Sequence, residues 1–292
     1  MIMSSKIAIL GCENSHANRF LHLIAEGAYP DIQVTGIYSD QPEAALTLHQ
    51  EFQVPVMEAP DQLCGQVDGI MITARHGDNH YRYAKPYLSY GIPMFIDKPI
   101  TCHPEDALAL IRDAAANGVR LCGGSTCASL STTLELAQWA RSGAPGTTVG
   151  GSITSPIYSD SPYGGFHFYA QHLIDIMLAI FGTDVDAVYA RRESNAVCIT
   201  VRYTDGRLVN GTYVEGGKRY HAAVYGTKAV KAEELTVTPD SFRSEMNAMQ
   251  ALLHGENMTK SYEHFILPVF ITNAILHSLQ SNQWESVLKI QP

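Results

Sequence analysis

Charged residues, paired cysteines and long apolar runs are all scarce in this chain of 292 residues. Only 17% of the residues are charged, and the formal net charge is −9. A surplus of negative charge argues against nucleic acid as a partner, because phosphate binding requires clustered Lys and Arg. No run approaches the ~20 apolar residues of a membrane-spanning helix, and the start lacks the apolar segment of a secretion signal. We therefore expect a cytoplasmic protein with no membrane partner.

The cysteines and histidines show no spacing typical of a metal site. The six cysteines are scattered without a C-x-x-C pair, which favours neither disulfides nor a zinc centre. His76, Asp78 and His80 alternate within one segment, but a third strong ligand is not evident. We expect no metal.

The first ~120 residues alternate strand and helix patterns, which is typical of βαβ units. A parallel, doubly wound sheet of the Rossmann type is therefore predicted for residues 1–122, with helices between its strands. The predicted strands are 6–10, 33–38, 54–57, 68–73, 93–96 and 119–122.

The pattern changes after residue 122, where Gly123-Gly124-Ser125-Thr126 indicates a domain boundary. An apolar helix at 166–181 precedes antiparallel strand patterns, and two helices at 241–253 and 265–279 close the chain. Residues 123–292 are therefore predicted to form an α+β domain with a mainly antiparallel sheet. The predicted strands of this domain are 149–154, 186–191, 196–203, 208–214 and 221–225.

The turn after the first strand keeps one glycine of the dinucleotide fingerprint G-x-G-x-x-G. Glu13 and His16 stand where the second and third glycines belong. A carboxylate beside a pyrophosphate is electrostatically unfavourable, although the following helix still offers free N–H groups and a positive dipole end. Asn14 or Ser15 is suited to cap that helix. The predicted cofactor contacts in this turn are Gly11, Cys12, Glu13, Asn14, Ser15 and His16.

The tripeptide Asp97-Lys98-Pro99 directly follows the predicted strand at 93–96. Ligands of open α/β sheets bind outside the carboxyl ends of the strands. A lysine there can orient a substrate hydroxyl or stabilise a developing alkoxide. The alternative is an ordinary solvated lysine at the start of a loop.

The order of these motifs resembles the Gfo/Idh/MocA oxidoreductases, which include glucose–fructose oxidoreductase and inositol dehydrogenase. Asp97-Lys98-Pro99 is a close variant of the Glu-Lys-Pro signature of that family. The segment 68–73 followed by His80 is similar to the family's strand, Thr-Pro turn and histidine. Gly164-Gly165 precedes His172 and Asp175 as the family's Gly-Gly precedes His-x-x-Asp. The resemblance covers nearly the whole chain.

The resemblance implies an N-terminal NAD(P) domain and a C-terminal domain whose open sheet forms the contacts of a homodimer or homotetramer. It implies hydride transfer between a nicotinamide, NAD or NADP, and a sugar or polyol. Lys98 matches the family's catalytic lysine and His172 its catalytic histidine. The resemblance extends the predicted cofactor site to Ser39, Asp40, Thr73, His80, Asp97 and Lys98.

Two departures from the family leave alternatives open. Ser39 stands where the ribose-binding acid is expected and Asp40 follows it, so the choice between NAD and NADP is open. Phe168 stands where the family often has an aspartate four residues before the histidine, and His167 or Tyr169 is a candidate replacement. His172 also has the alternative of an ordinary packed histidine. The corresponding alternative for the protein is a non-catalytic or cofactor-independent relative that binds a small molecule and serves regulation.

Overall fold

The computed structural model describes residues 4–288, which form two compact units. The first unit contains the chain up to Gly124 together with Phe242–Ile266. The second contains Ser125–Ser241 and the segment that begins at Leu267. The sequence predicted domains of 1–122 and 123–292, so the structure differs mainly in assigning residues 242–266 to the first unit.

Strands and helices alternate along the N-terminal part of the first unit. They are β1 (Ser5–Leu10), α1 (Ser15–Ala25), β2 (Ile32–Tyr38), α2 (Pro42–Phe52), β3 (Gly69–Ile72), α3 (Asp78–Leu88), β4 (Met94–Asp97), α4 (Pro104–Ala116) and β5 (Leu121–Gly124). The five strands pair in parallel in the order β2-β1-β3-β4-β5. The predicted doubly wound sheet is confirmed, and the carboxyl ends of its strands lie at one edge.

The central strands of this sheet are its most deeply buried elements. The apolar residues of β1, β3 and β4 are completely buried, as expected for parallel strands covered on both faces. The predicted strand at 54–57 contributes only a single bridge between Ile37 and Val56. Proline begins both α2 and α4, where its missing N–H costs no hydrogen bond.

The rest of the chain supplies a second sheet and four more helices. These elements are α5 (Ser131–Arg141), β6 (Thr148–Ile157), α6 (His167–Phe181), β7 (Val185–Glu193), β8 (Ala196–Tyr203), β9 (Leu208–Glu215), β10 (Tyr220–Gly226), β11 (Val230–Leu235), α7 (Arg243–Leu253), α8 (Tyr262–Ser281) and β12 (Glu285–Ser286). The sheet has the order β11-β10-β6-β9-β8-β7-β12. Within the described residues 4–288, only β6 and β9 of this sheet pair in parallel, so the prediction of a mainly antiparallel sheet is confirmed.

Side chains of β8 and β9 alternate between the two faces of the second sheet. Val201, Val209 and Tyr213 are buried, and the Tyr213 hydroxyl donates a hydrogen bond to the carbonyl of Ala170 in α6. Residues of the opposite face, such as Arg202, are exposed. A homodimer or homotetramer through that face stays a prediction. Within residues 4–288, no helix has the length and apolar character needed to cross a membrane.

Helix α7 belongs to the first unit because its apolar face enters the core of the parallel sheet. Met246 and Met249 are completely buried there together with residues of β1 and α1. The carboxylate of Asp31, just before β2, accepts hydrogen bonds from Gln250 and His254, at 2.7 and 2.6 Å. Sequence periodicity identified this helix, but it carries no information on which sheet the helix covers.

We predict that Met246→Ala destabilises the first unit specifically. Removal of a fully buried Met side chain should lower the free energy of unfolding by about 2–5 kcal/mol, measured by urea denaturation. Hydrogen exchange should show reduced protection in β1–β5. Leu46→Ala on α2, where the side chain is half exposed, is the control. Loss of protection confined to β6–β11 would contradict the assignment of α7.

Candidate active site

The turn after β1 is held tightly against the ends of two neighbouring strands. Gly11 has a φ of +77°, and a Cβ at this position would lie 2.4 Å from atoms of Ala74, so only glycine fits. The N–H groups of Gly11 and Cys12 both donate to the carbonyl of Tyr38, at 2.8 and 3.0 Å. The buried hydroxyl of Thr73 donates to the carbonyl of Gly11 at 3.0 Å. Thr73 therefore supports the turn from the end of β3.

Asn14 connects the start of α1 to the end of β4. Its side-chain oxygen accepts a hydrogen bond from the N–H of His16 at 3.3 Å, so Asn14 is the N-cap of α1. Its amide nitrogen donates to Asp97 at 3.1 Å. Ser15, the other predicted cap, is exposed in the first helical turn. The positive end of the α1 dipole is thus directed to this edge of the sheet.

Asp97 is a completely buried carboxylate at the end of β4. One oxygen accepts a hydrogen bond from the backbone N–H of Lys98 at 2.7 Å, and the other lies 2.7 Å from Nδ1 of His16. This close contact of His16 falls outside hydrogen-bond geometry. Burial by itself would raise the pKa of Asp97, but His16 and Lys98 outweigh it and hold this pKa below its usual value. The carboxylate is therefore ionised and fixes the backbone of Lys98.

His16, in the place of the third fingerprint glycine, fills an aromatic slot beside Asp97. Its ring meets Phe242 and Phe20 edge to face, with centroids 4.8 and 6.5 Å apart. Phe242 immediately precedes α7, so the returning segment provides the space and the contacts that accommodate this side chain. The sequence predicted that His16 contacts a cofactor, but it did not predict the contacts of His16 with Asp97 and Phe242.

Glu13, in the place of the second glycine, directs its carboxylate to the residues that follow β2 and β3. One oxygen accepts a hydrogen bond from the Ser39 hydroxyl at 2.6 Å, and the other from the N–H of Arg75 at 3.1 Å. The adjacent Cys12 is buried, and its burial and the Glu13 charge raise the pKa of its thiol to about 12. Cys12 is therefore an unreactive neutral thiol.

Asp40, the other acid near the end of β2, is engaged by its own neighbours. Its carboxylate accepts a hydrogen bond from the Tyr38 hydroxyl at 2.8 Å and pairs with the Arg82 guanidinium of α3. Burial would raise the pKa of Asp40, but the Tyr38 hydroxyl and the Arg82 guanidinium together lower it. Asp40 is thus a paired, ionised surface acid.

His80 supports the loop that follows Lys98. The side chain is completely buried, with Nε2 at 2.8 Å from the carbonyl oxygen of Ala74 and Nδ1 at 3.3 Å from that of Ile100. Burial is the main reason why the pKa of His80 is lowered, so the ring is neutral. A neutral imidazole carries one N–H, so His80 donates to one of these two carbonyls while its ring packs between the β3–α3 loop and the segment after Lys98. Contact of His80 with a cofactor stays a prediction.

A small cluster of metal-ligating side chains lies at the start of α3. His76, Asp78 and Cys102 bring ligand atoms within 4.8 Å of one another, and His103 Nε2 is 3.5 Å from Asp78. Burial and the nearby Asp78 raise the pKa of Cys102 to about 12, so its sulfur is a neutral thiol as long as no metal ion is bound. The absence of a metal stays a prediction.

His172 lies buried in α6 of the second unit, where polar partners fix its ring. Its Nδ1 is 2.7 Å from the hydroxyl of Ser125. The Asp175 carboxylate accepts hydrogen bonds from the Ser125 N–H at 2.8 Å and from the Gln171 amide at 3.0 Å. Sequence reasoning assigned Ser125 only to a boundary segment. Its position directly after a strand of the parallel sheet was the signal that could have identified it.

Aromatic side chains surround His172. The rings of Tyr169 and Tyr220 lie with centroids 4.9 and 5.8 Å from that of His172. Burial is the main cause of a raised pKa for Tyr220, which keeps its phenol neutral. Sequence reasoning missed Tyr220, because its strand carried no feature other than alternation.

Phe168, at the position where the family often has an aspartate, has aromatic neighbours in the structure. Phe168 packs against Tyr163 and Tyr169, with ring centroids 5.3 and 5.1 Å apart. His167 begins α6 and lies about 140° around the helix axis from His172, whereas Tyr169 lies on the same side. The helix geometry therefore favours Tyr169 over His167 as the side chain beside His172. A catalytic role of His167 stays a prediction.

A family model matches the part of the chain that contains the parallel sheet. Residues 5–125 match the sequence model of the oxidoreductase family with an NAD-binding Rossmann fold, GFO_IDH_MocA. The match confirms the family resemblance, and with it the NAD-binding fold expected of this part of the chain. A search of curated protein sequences gave no match.

Solved structures share the fold over the whole chain. GenD2 of gentamicin A biosynthesis, determined with NAD, has a TM-score of 0.85 at 15% identity, with 99% of this chain and 97% of that chain covered. Scyllo-inositol dehydrogenase of Lactobacillus casei, with bound NAD(H) and scyllo-inositol, has a TM-score of 0.84 at 16% identity. The match covers 97% of this chain and 99% of that chain. A myo-inositol dehydrogenase of Corynebacterium glutamicum has a TM-score of 0.80 at 17% identity, with 99% of this chain and 100% of that chain covered. At these identities the likeness concerns the fold alone.

We predict that His16→Leu makes the protein less stable at neutral pH and changes its acid sensitivity. Without the His16 ring, Asp97 loses one of the groups that compensate its buried charge, which should cost on the order of 3 kcal/mol. The low folded-state pKa of Asp97 contributes stability that is present above its unfolded pKa and lost as pH falls through the folded pKa. Because the variant raises that folded pKa, it should lose this contribution at a higher pH than the wild type.

The measurement is the free energy of urea unfolding as a function of pH. The control is His22→Leu on the same helix, since His22 is 45% exposed and its pair with Glu51 is on the surface. Identical curves for His16→Leu and the wild type would contradict the role assigned to the His16–Asp97 pair.

Proposed function

We propose that this protein is an NAD(P)-dependent oxidoreductase that transfers a hydride between a nicotinamide and the alcohol or carbonyl carbon of a sugar or polyol. The observation that carries the proposal is the end of β4, where a fully buried, ionised Asp97 fixes Lys98 at the ligand-binding edge of an NAD-binding fold. The inositol dehydrogenases among the similar structures support a polyol as the substrate class.

The residues of the first unit fit a dinucleotide. The Gly11 turn has the required tight backbone, and the capped start of α1 offers a positive dipole end to a pyrophosphate. Carboxylates near the end of β2 suit the hydroxyls of an adenosine ribose. The nicotinamide, when bound, accepts the hydride in oxidation and supplies it in reduction.

Lys98 and His172 have complementary roles in this proposal. In oxidation, the C–H electron pair leaves the substrate as hydride, the O–H bond breaks and a C=O bond forms. Lys98 donates a hydrogen bond to the reacting oxygen and stabilises the negative charge that develops on it. His172 accepts the hydroxyl proton, and in reduction it returns that proton. Ser125, at 2.7 Å from Nδ1, orients the ring for this transfer.

A second candidate function is favoured by the Glu13 carboxylate in the fingerprint turn and by Phe168 in place of an aspartate. A protein with this fold can bind a small molecule for regulation without hydride transfer. Thermal unfolding with NAD(H) and NADP(H) separates the two. The oxidoreductase proposal predicts a rise of Tm with at least one cofactor, whereas no change at millimolar concentrations of any of them favours the second function.

We predict that Lys98→Ala lowers kcat by at least about 100-fold, because the charge on the reacting oxygen loses its donor. Turnover is followed by nicotinamide absorbance with inositols and hexoses as substrates. Circular dichroism should show an unchanged fold, and Lys98→Arg should restore part of the activity. Lys85→Ala, at an exposed position of α3, is the control. Full activity of Lys98→Ala would refute the assignment.

A further inference from the structure

We propose that Glu13 is the acid that binds the adenosine ribose, and that it makes the protein selective for NAD over NADP. This inference rests on the proposed function. In folds of this type an acidic side chain at the end of β2 accepts hydrogen bonds from the ribose hydroxyls. Ser39 occupies that position here, and the carboxylate of Glu13 lies directly against it, with Oε2 at 2.6 Å from the Ser39 hydroxyl.

The geometry holds the Glu13 carboxylate where a carboxylate from β2 is expected. The Ser39 hydroxyl and the Arg75 N–H each donate to a different carboxylate oxygen, at 2.6 and 3.1 Å. An ionised carboxylate accepts about four hydrogen bonds, so these two donors leave capacity for the two hydroxyls of a ribose. Glu13 is half-buried, so its carboxylate is both fixed in place and reachable from solvent.

Ser39 acts as a positioning residue in this arrangement. Its oxygen accepts a hydrogen bond from the N–H of Gln41 at 3.0 Å, and its hydroxyl hydrogen is directed to Glu13. Ser39 itself is buried. Ser39, at the strand end, therefore holds the carboxylate of Glu13, which belongs to the turn after β1.

The neighbouring Asp40 is less suited to bind the ribose. Its carboxylate accepts a hydrogen bond from the Tyr38 hydroxyl and is ion-paired with the guanidinium of Arg82, so its charge is already compensated. The donors to Glu13, the Ser39 hydroxyl and the Arg75 N–H, are uncharged. The pairing with Asp40 also neutralises Arg82, a cation that in other arrangements could accept a 2′-phosphate. A 2′-phosphate at the end of β2 would instead meet the negative charge of Glu13, and this repulsion selects against NADP.

The test is the calorimetric affinity of the intact protein for NAD⁺ and for NADP⁺. We expect the wild type to bind NAD⁺ more tightly than NADP⁺. Glu13→Gln should weaken NAD⁺ binding on the order of tenfold, the effect of losing charged hydrogen bonds, and should reduce the preference for NAD⁺. Ser39→Ala, which retains the charge but not its anchor, should weaken NAD⁺ binding by a smaller factor.

Two further variants control for unspecific charge effects. Glu43→Gln removes the same charge from the exposed first turn of α2 and should leave both affinities unchanged. Asp40→Asn should change NAD⁺ affinity less than Glu13→Gln does. Thermal unfolding of each variant confirms that it is folded.

Three results would overturn the inference: unchanged NAD⁺ affinity in Glu13→Gln, tighter binding of both cofactors in that variant, or a larger loss in Asp40→Asn. Tighter binding would mean that the carboxylate obstructs the site. Failure of the wild type to bind either cofactor is a different outcome, because it would refute the proposed oxidoreductase function itself.

Discussion

The buried carboxylate of Asp97 is the interaction on which the first unit's functional edge depends. An ionised group removed from water is costly unless charges and donors surround it. Here Asn14 and His16 from the start of α1 and the backbone of Lys98 supply them. One carboxylate therefore fixes both the turn that we propose to bind a dinucleotide and the lysine that we propose to bind the substrate.

The degenerate turn shows which glycines a Rossmann unit requires and which can be replaced. Gly11 was predictable from its position after β1, since a side chain there would collide with Ala74. Glu13 and His16 were predictable only as departures from a motif. Their partners, Ser39 for the carboxylate and Asp97 for the ring, come from other strand ends, and no local pattern contains that information.

Local patterns identified most elements of the fold, because buried parallel strands and amphipathic helices have distinct periods. They failed where structure depends on distant contacts. The polar edge strand β11 buries little surface, so its sequence lacks an apolar pattern. The return of α7 to the first sheet rests on Met246, Met249 and the Asp31 contacts, which are all long-range. For the same reason Ser125 was predicted as a boundary and not as the partner of His172.

The central claim is that the first unit binds a nicotinamide dinucleotide although its fingerprint has lost two glycines. A crystal structure of the protein with NAD⁺ tests this most directly. The account predicts a pyrophosphate at the start of α1 and ribose hydroxyls hydrogen-bonded to Glu13. A structure in which no dinucleotide binds this edge would contradict the claim. A dinucleotide whose ribose is held by Asp40 would uphold it but refute the role of Glu13.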